Sequence, residues 1–326
     1  MNEFPEPKIP MHNSSLSTYT FDEAHSLKKE FIWQNLATIT IQEAITEWLK
    51  TLSVLTAKNY SSGMRMLFDL GLIDPLAILQ SLALVNHDAV IDKIKNLPDV
   101  TESTKQARAA CYISFTRFLN RRTQGIIPKA TPSREGSSKT FYRVREKVST
   151  QAMTRSEWTE FLHELTKINA RDALIAKIIL QGGKRISEVL ELKHEQINWQ
   201  SNEITFKQSK TKGYEKETVI TYPKAIFDEL REYLGDRIGL VFITKVGKKI
   251  MPNQLAITFA KAGIKARISF KVTPHVLRAS AVTYLKREGF ADSEIMKVTG
   301  HASAEMVHAY DKSERAQNAS KKISLI

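Results

Sequence analysis

A tyrosine and two histidines lie close together near the end of the chain, in TGHASAEMVHAYDKSE (299–314). The pattern over residues 303–319 predicts a helix with Ser303 at its N-cap, so we expect Tyr310 in the middle of that helix. A lone tyrosine is usually structural. Its hydroxyl can nevertheless attack phosphorus where nearby cations stabilise the phenolate. The role of Tyr310 therefore depends on which groups the fold gathers around it.

A histidine and an arginine lie in the first turn of another predicted helix, TPHVLRASAVTYLKREG (273–289). Threonine followed by proline is a strong helix start, and His275 and Arg278 are then three residues apart on one face. The free N–H groups of a helix N-terminus favour an anion there. These two residues could form an anion site. Equally well, His275 could help to cap the end of the helix while Arg278 forms a surface ion pair.

A second arginine, Arg185, follows two glycines in GGKRISEVLELK (182–193). The glycines allow a sharp turn or a close approach of the backbone to another group. Glu188, three residues further on, could orient the guanidinium, although an ordinary surface ion pair explains the same spacing. Lys210 and Lys212 lie in a predicted hairpin turn, where lysines are common.

Together these cationic side chains suit a phosphodiester better than any of them does alone. Two arginines can clamp phosphate oxygens, a lysine or histidine can protonate the departing oxygen, and a tyrosine can be the nucleophile. The sequence has no phosphate-binding loop, dinucleotide fingerprint or H-E-x-x-H motif. Its single cysteine, Cys111, excludes a Cys-based zinc site. We therefore expect neither a cofactor nor a metal.

The charge of the chain points to an anionic partner. The net charge is +13, and residues 101–149 alone carry 11 Lys and Arg against 3 Asp and Glu. The sequence shows no secretory signal and no apolar run long enough to span a membrane. We therefore expect a cytoplasmic protein that binds nucleic acid and no membrane.

The periodicity predicts a mainly α fold with a small antiparallel β-sheet. We expect an N-terminal tail (1–37), a helical domain (38–125), a basic linker (126–149) and an α+β domain with a C-terminal tail (150–326). Helices are predicted at 40–52, 56–71, 86–97, 101–125, 156–168, 170–183, 185–193, 223–234, 252–263, 274–288, 292–299 and 303–319. Strands are predicted at 203–208, 217–222 and 240–244.

Basic side chains concentrate on the fourth helix and on the linker. These residues are the predicted DNA contacts, because lysine and arginine neutralise backbone phosphates: Lys105, Arg108, Arg117, Arg121, Lys139, Arg143 and Arg145. A plain helical bundle with a solvated basic face explains the helical domain as well.

The motifs of the second domain resemble those of the tyrosine recombinase (phage integrase) family. GGKRISEVLEL resembles the family's TG-x-R-x-S-E-L box, and HVLRASAVTYL its H-x-L-R-H-x-x-A-T-x-L box. TGHASAEMVHAY resembles its closing LGH with a tyrosine nine residues later, and FKQSKTKG supplies the hairpin lysine. Lys184 and Ala279 depart from the usual residues, an apolar one and a histidine. Lys212 competes with Lys210, which the spacing favours.

This resemblance implies a helical core-binding (SAM-like) domain followed by the α+β catalytic domain of tyrosine recombinases. It implies that Tyr310 attacks the scissile phosphate, leaving a 3′-phosphotyrosine and a free 5′-hydroxyl, without ATP. Arg185, Arg278 and His301 would hold the non-bridging oxygens.

The remaining site residues receive their roles from the same resemblance. Lys210 would protonate the leaving oxygen, His275 would assist proton transfer with Tyr310, and Glu188 would orient the site. His308, two residues before the tyrosine, receives no role and is expected to pack.

The resemblance also implies the partners, namely double-stranded DNA and a homotetramer that exchanges C-terminal tails. Residues 311–326 end in KKISLI, an apolar tip on a polar tail, which fits such an exchange. TKQARAACYISFTRFLNR and IMKVTGHASAEM are similar to stretches of integrase-like recombinases carried on chlamydial plasmids. A role in plasmid- or phage-type DNA integration or maintenance is therefore predicted.

Three other functions remain open on the sequence. A DNA-binding protein for plasmid maintenance or regulation could use the same fold with little or no recombination. A type IB topoisomerase shares the cleavage chemistry, but the integrase-type boxes disfavour it. A non-catalytic basic helical scaffold leaves the six clustered site residues unexplained.

Overall fold

The computed structural model describes residues 20–131, 150–208 and 216–313. The chain divides into two compact units, Met1–Arg145 and Glu146–Ile326. Several residues named from the sequence lie outside the described residues: the linker cations Lys139, Arg143 and Arg145, the hairpin lysines Lys210 and Lys212, and the tail from residue 314 onward. Within the described residues, the prediction of a mainly α fold with a small antiparallel sheet is confirmed.

The described part of the first unit consists of helices joined by turns and irregular segments. Thr20 and Thr40 begin their helices with capping boxes, in which the carboxylates of Glu23 and Glu43 accept a hydrogen bond from the N–H of the respective threonine. The helices are α1 Phe21–Leu36, α2 Ile41–Lys50, α3 Val54–Asp69, α4 His87–Lys95 and α5 Glu102–Arg122, with a 3₁₀ turn at Leu79–Ala83.

Aromatic side chains form the centre of this unit. Trp48 is buried, with its ring 5.4 Å from Tyr60 and 5.2 Å from Phe115. Ile32 and Leu36 of α1 belong to the same buried cluster. The helical core therefore begins before residue 38, where the sequence places its start, because α1 contributes apolar side chains to it.

The second unit combines helices with a three-stranded antiparallel sheet of order β1-β2-β3. Its strands are β1 Ile197–Asn198, β2 Glu203–Gln208 and β3 Lys216–Thr221. Its helices are α6 Arg155–Ile168, α7 Ala170–Gly182, α8 Ile186–Leu190, α9 Lys224–Leu234, α10 Pro252–Lys265, α11 Pro274–Arg287, α12 Asp292–Thr299 and α13 Ala304–Tyr310, with a 3₁₀ turn at His194–Gln196.

The β2–β3 pair has the alternation expected of a sheet with one buried face. Ile204 lies opposite Ile220, and Phe206 lies opposite Thr218, with all four side chains buried. This face joins a core that includes Phe161 and Phe259, whose rings meet edge to face 5.6 Å apart.

Two predicted elements are shorter or different in the structure. The helix predicted at 185–193 ends at Leu190. Residues 240–244 form no strand, and make only isolated bridges between Lys193 and Leu240 and between Ile243 and Lys249. Val241 and Phe242 are fully buried, so their apolar run reflects burial in the core rather than a place in the sheet.

The last described helix, α13, ends at Tyr310, so the tyrosine is not in the middle of a helix as predicted. Asp311 has an extended backbone (φ −70°, ψ 119°). The buried hydroxyl of Thr283 accepts a hydrogen bond from the Lys312 N–H at 2.9 Å and contacts the Tyr310 carbonyl at 3.4 Å. This tertiary contact replaces the next helical turn and fixes the backbone on both sides of Tyr310.

Replacing Thr283 with valine should release this backbone, because valine keeps the shape of the side chain but cannot accept the bond. We expect the Lys312 amide to exchange faster with solvent and the free energy of unfolding to fall by about 1 kcal/mol. Hydrogen exchange measures the first and chemical denaturation the second. Thr283→Ser retains the hydroxyl and should behave like the wild type; equal exchange in all three proteins would contradict this account.

Candidate active site

The guanidinium of Arg278 lies at the centre of the candidate site. Thr273 caps α11 and Pro274 occupies its first turn, so Arg278 begins the second turn on the buried side of the helix. The residue is 1% exposed, and its Nη1 donates to the carbonyls of Gly183 and Thr299. Its Nε and Nη2 have no hydrogen-bond partner among the described residues. A buried cation with two unused donors is costly unless an anion completes it.

The ring of Tyr310 lies against this guanidinium, with the centroid 5.3 Å from Cζ. Tyr310 is 8% exposed. Burial and then the positive charge of Arg185 lower the pKa of Arg278 to about 10, while Tyr310 and Glu188 raise it. The tyrosine hydroxyl is thus close enough to act on the charge of Arg278, although it does not meet hydrogen-bond geometry with Nε or Nη2.

The imidazole of His301 also lies against Tyr310, with the two ring centroids 4.9 Å apart. Its Nδ1 is 2.7 Å from the hydroxyl of Thr299, and that hydroxyl donates to the Ile295 carbonyl at 2.7 Å. The Thr299 oxygen therefore accepts the Nδ1 proton. Nε2 of His301 is buried and has no partner among the described residues, so in the neutral ring it is available to accept a proton.

The electrostatic surroundings keep His301 neutral. Burial, followed by the charges of Arg278, Arg185, Lys184 and Lys216, lowers the pKa of His301 to about 3. The side chain is fully buried. A nearby negative charge favours the charged imidazole, and a nearby positive charge disfavours it. A phosphate placed among these cations would therefore raise the pKa of His301.

Arg185 and Glu188 form the ion pair that their spacing predicts. Nη1 of Arg185 is 2.8 Å from Oε1 of Glu188, whose other oxygen accepts the Arg185 backbone N–H at 3.0 Å. Glu188 is buried, while the side chain of Arg185 keeps 39% of its surface exposed. The carboxylate therefore holds the arginine from the buried side, and the guanidinium remains open to solvent.

His275 lies at the surface in the first turn of α11. Partial desolvation, followed by the charges of Arg278 and Arg185, lowers its pKa. Both arginines that act on His301 therefore act on His275 as well, so the two histidines are close to the same pair of cations. His308 is instead exposed and lies 3.1 Å from Asp292, so it does not pack inside the protein as expected.

Two lysines, Lys184 and Lys216, lie at the site although the sequence did not identify them as site residues. Lys184 is fully buried, and burial lowers its pKa to about 7, with Glu188 opposing and Arg278, Arg185 and Lys216 adding to the shift. Lys216 Nζ lies 3.4 Å from the His301 carbonyl. The only signal in the sequence was that Lys184 stands where the recombinase family usually has an apolar residue.

The basic residues of α5 do not form one face. At 100° per residue, Lys105 and Arg108 lie on the side of the helix that carries the buried Tyr112, and Arg117 and Arg121 lie opposite. Lys105 and Arg108 are half-buried, and Nε of Arg108 is 3.2 Å from the sulfur of Met66. Arg117 and Arg121 are exposed and remain the better candidates for contact with a polyanion.

The arrangement in the second unit suits a tetrahedral anion next to a tyrosine hydroxyl. Arg278 offers two free donors, Arg185 offers an open guanidinium, and His301 offers one ring nitrogen. Among the described residues, no group of three or more His, Cys, Asp and Glu side chains is placed to hold a metal. No helix within the described ranges is long and apolar enough to cross a membrane.

Comparison with known proteins identifies similar sequences over nearly the whole chain. The model of the phage integrase family matches residues 151–317. The virulence plasmid integrase pGP8-D of Chlamydia muridarum is 49% identical over 311 residues, covering 94% of each protein. The virulence plasmid integrase pGP7-D of Chlamydia trachomatis is 39% identical over 277 residues, covering 83% of this chain and 91% of that protein.

Two solved structures share the fold. The XerH site-specific recombinase bound to difH substrate in a pre-cleavage complex has a TM-score of 0.62, 16% identity and coverage of 89% of this chain and 92% of that one. A lambda integrase tetramer bound to a Holliday junction also has a TM-score of 0.62 and 16% identity, covering 88% of this chain and 81% of that one. The predicted fold class is thereby confirmed.

The depressed pKa of His301 makes stability depend on pH. The imidazole takes up a proton at pH 6.5 when unfolded but only near pH 3 when folded, so stability is lost as pH falls between these values. From pH 6.5 to pH 4, one such group contributes up to about 3 kcal/mol. His301→Gln should lose less stability over this range than the wild type, as measured by urea unfolding.

His163→Gln is the matched control, because His163 is exposed on α6. It should keep the wild-type dependence on pH. Parallel curves for wild type and His301→Gln would show that the buried histidine is not held neutral.

Proposed function

Because the chain belongs to the phage integrase family of tyrosine recombinases, we propose that it breaks and rejoins double-stranded DNA at specific sites, with Tyr310 as nucleophile. One observation carries this proposal. The ring of Tyr310 contacts both the buried guanidinium of Arg278, which has two unused donors, and the imidazole of His301, which has one unused nitrogen. A scissile phosphate would occupy all three groups at once.

The first chemical step is attack by the Tyr310 oxygen on phosphorus. The bond to the 5′ oxygen of the next nucleotide breaks as the new bond forms, leaving a 3′-phosphotyrosine and a 5′-hydroxyl. Arg278 donates from Nε and Nη2 to non-bridging oxygens, and Arg185 approaches the same phosphate from the open side. Glu188 orients Arg185 through their ion pair. The reverse reaction, with a different 5′-hydroxyl, joins a new strand without ATP.

Proton transfers accompany each bond change. The tyrosine proton must leave as the bond to phosphorus forms, and we assign His275 to assist this transfer. The phosphate raises the pKa of His301, which then donates from Nε2 to a non-bridging oxygen. Lys210 protonates the 5′ oxygen as it departs. Gln208 and Lys216, the described residues nearest to Lys210 in the chain, contact the carbonyls of Gly300 and His301.

The proposed assembly follows the relatives. A lambda integrase of the same fold is a tetramer on a Holliday junction, and we propose a tetramer on two DNA duplexes for this chain, with exchange of the tails beyond residue 313. Arg117 and Arg121 provide exposed phosphate contacts in the helical unit. The relatives named as plasmid integrases support a role in the integration or maintenance of a plasmid, in the cytoplasm.

The second candidate function is DNA binding without strand exchange, for plasmid maintenance or regulation. It would use the same cationic cluster to hold a phosphate. The position of Tyr310 against Arg278 favours catalysis, because a cation beside the ring stabilises the phenolate that a nucleophile needs.

Trapping of the covalent intermediate tests the proposal. Tyr310→Phe cannot form the bond to phosphorus, so this protein can first select its preferred site from a random DNA pool without cleaving it. Wild-type protein incubated with a nicked version of the selected site should give a protein–DNA adduct on a denaturing gel. Tyr310→Phe should bind the same DNA and give none.

Tyr284→Phe is the matched control. Tyr284 lies on α11 and packs edge to face on Trp158, 5.4 Å away, outside the candidate site, so this variant should form the adduct like the wild type. Tight binding of selected DNA without an adduct from the wild type would favour the binding-only function.

A further inference from the structure

The turn that follows α12 carries His301, and side chains from four other parts of the second unit hold its backbone. The last carbonyls of a helix have no partner within the helix, and cations near them are favoured. Here four consecutive carbonyls each accept a bond from a side chain: from Lys184 to Val298 at 2.7 Å, from Arg278 to Thr299 at 3.0 Å, from Gln208 to Gly300 at 3.1 Å and from Lys216 to His301 at 3.4 Å. The backbone of this turn is therefore fixed at every residue from 298 to 301.

The imidazole ring of His301 has one hydrogen bond among the described residues, and it comes from the same turn. The hydroxyl of Thr299 lies 2.7 Å from Nδ1 and donates its own proton to the Ile295 carbonyl at 2.7 Å, so its oxygen accepts from Nδ1–H. Both Thr299 and His301 are fully buried. Nε2 has no partner within the part of the chain that the structure describes. The hydroxyl thus decides which ring nitrogen carries the proton and which one is left for another group.

The resemblance to recombinases does not explain Thr299, because the family's closing LGH has leucine at this position and this chain has TGH. A leucine side chain has no oxygen, so it would leave a buried Nδ1–H without an acceptor. This chain therefore provides an acceptor for the ring that the family's usual residue cannot provide.

The charged groups that act on the ring are cations, and an acceptor at Nδ1 matters most when an anion joins them. They are Arg278 of α11, Arg185 and Lys184 before α8, and Lys216 of β3, while Tyr310 of α13 lies against the ring and Glu188 is paired with Arg185. An anion bound among them favours the protonated imidazole, which has two N–H groups that both need acceptors. Since Thr299 already accepts from Nδ1–H, the anion can accept from Nε2–H.

We propose that Thr299 is a positioning residue, whose hydroxyl oxygen accepts from Nδ1–H of His301 and thereby presents Nε2 to a non-bridging oxygen of the scissile phosphate. This inference rests on the proposed recombinase function. When DNA binds, the neutral ring takes up one proton from solvent at Nε2 and donates it in a hydrogen bond to the phosphate oxygen. Thr299 accepts from Nδ1–H in both states, so neither donor of the protonated ring is left unpaired.

The tautomer of His301 in the protein without DNA is the first readout. Nuclear magnetic resonance of isotope-labelled histidine distinguishes a protonated ring nitrogen from an unprotonated one, and His301→Gln identifies the signal. At neutral pH we expect the wild type to carry its proton on Nδ1. Thr299→Val keeps the shape of the side chain but cannot accept, so the ratio of Nδ1–H to Nε2–H should fall by about 5- to 150-fold, the effect of one unpaired buried donor. Thr299→Ser keeps the hydroxyl and should retain the wild-type ratio.

Single-turnover cleavage of a nicked DNA site, selected with Tyr310→Phe, is the second readout. Thr299→Val should cleave about 5- to 150-fold more slowly than the wild type, because its protonated ring has an unpaired Nδ1–H. Thr299→Ser should stay within about twofold of the wild type, since serine has the same acceptor. Adding Thr299→Val to His301→Gln should cause no further loss, because Thr299 acts through the ring.

The dependence of this loss on pH separates positioning from a general structural defect. Without the acceptor, the ring in the DNA complex has a lower pKa, and a higher proton concentration compensates for it. The difference in rate between the wild type and Thr299→Val should therefore shrink as pH falls from about 8 to about 6. A structural defect would give the same difference throughout.

Thr166→Val is the matched control. Thr166 makes the same kind of bond to the carbonyl four residues earlier, at 2.8 Å, on the exposed side of α6. This variant should leave both the tautomer of His301 and the cleavage rate unchanged. Thr299→Ala, which also lacks the hydroxyl and needs less space, takes the place of Thr299→Val if that protein does not fold, as judged by thermal melting.

The tautomer measurement needs no DNA, so this inference and the function on which it rests can fail separately. A wild-type ring protonated at Nε2, an unchanged tautomer ratio without the hydroxyl, or a loss of rate that is equal at every pH would overturn the role of Thr299 and leave recombination in place. Absence of an adduct from the wild-type protein would refute the proposed function, and with it the presentation of Nε2 to a scissile phosphate.

Discussion

The second unit is organised around one buried guanidinium. Arg278 has almost no exposed surface, and two carbonyls, from Gly183 and Thr299, hold one end of it. The two nitrogens that remain are buried and have no partner among the described residues. A charge held this way is unfavourable by itself, which indicates that its environment has been shaped for an anion that is bound in the working state.

The backbone around Arg278 is arranged so that two carbonyls reach the guanidinium. Gly183 has a positive φ of 54°, and a Cβ there would meet the Thr299 side chain at 2.6 Å. Close approach of α7 and α12 brings both carbonyls to one nitrogen, and it also places His301 after the turn at Gly300. Thr283 then ends α13 at Tyr310, and the tyrosine ring contacts both the guanidinium and the imidazole. The residues at these closely packed positions are glycines, Gly183 and Gly300, and threonines, Thr283 and Thr299.

The sequence singled out Arg278, His301 and Tyr310, which the structure brings together, but it did not single out Lys184 as a site residue or show the contacts that hold the cluster. Thr273 with Pro274 indicates a helix start, and the two arginine boxes together with the tyrosine indicate phosphate chemistry, since these signals are local. The end of α13 could not be predicted, because a hydrogen bond from a distant helix decides it. Nor could the burial of Lys184, because its partners lie 34 and 114 residues away in sequence. The two opposite faces of α5 follow from simple helical spacing and became clear once the buried side was known.

The most direct measurement asks whether Arg278 acts on the negative charge of the scissile phosphate. Cleavage rates of wild type and Arg278→Ala are compared on DNA with an ordinary scissile phosphate and on DNA with an uncharged methylphosphonate there. If Arg278 neutralises a non-bridging oxygen, its loss should slow the ordinary substrate by on the order of 100- to 1,000-fold and the methylphosphonate far less. Comparison of both substrates within one variant removes any effect of folding. The same loss on both substrates would contradict the account, because Arg278 would then act on the structure and not on the phosphate.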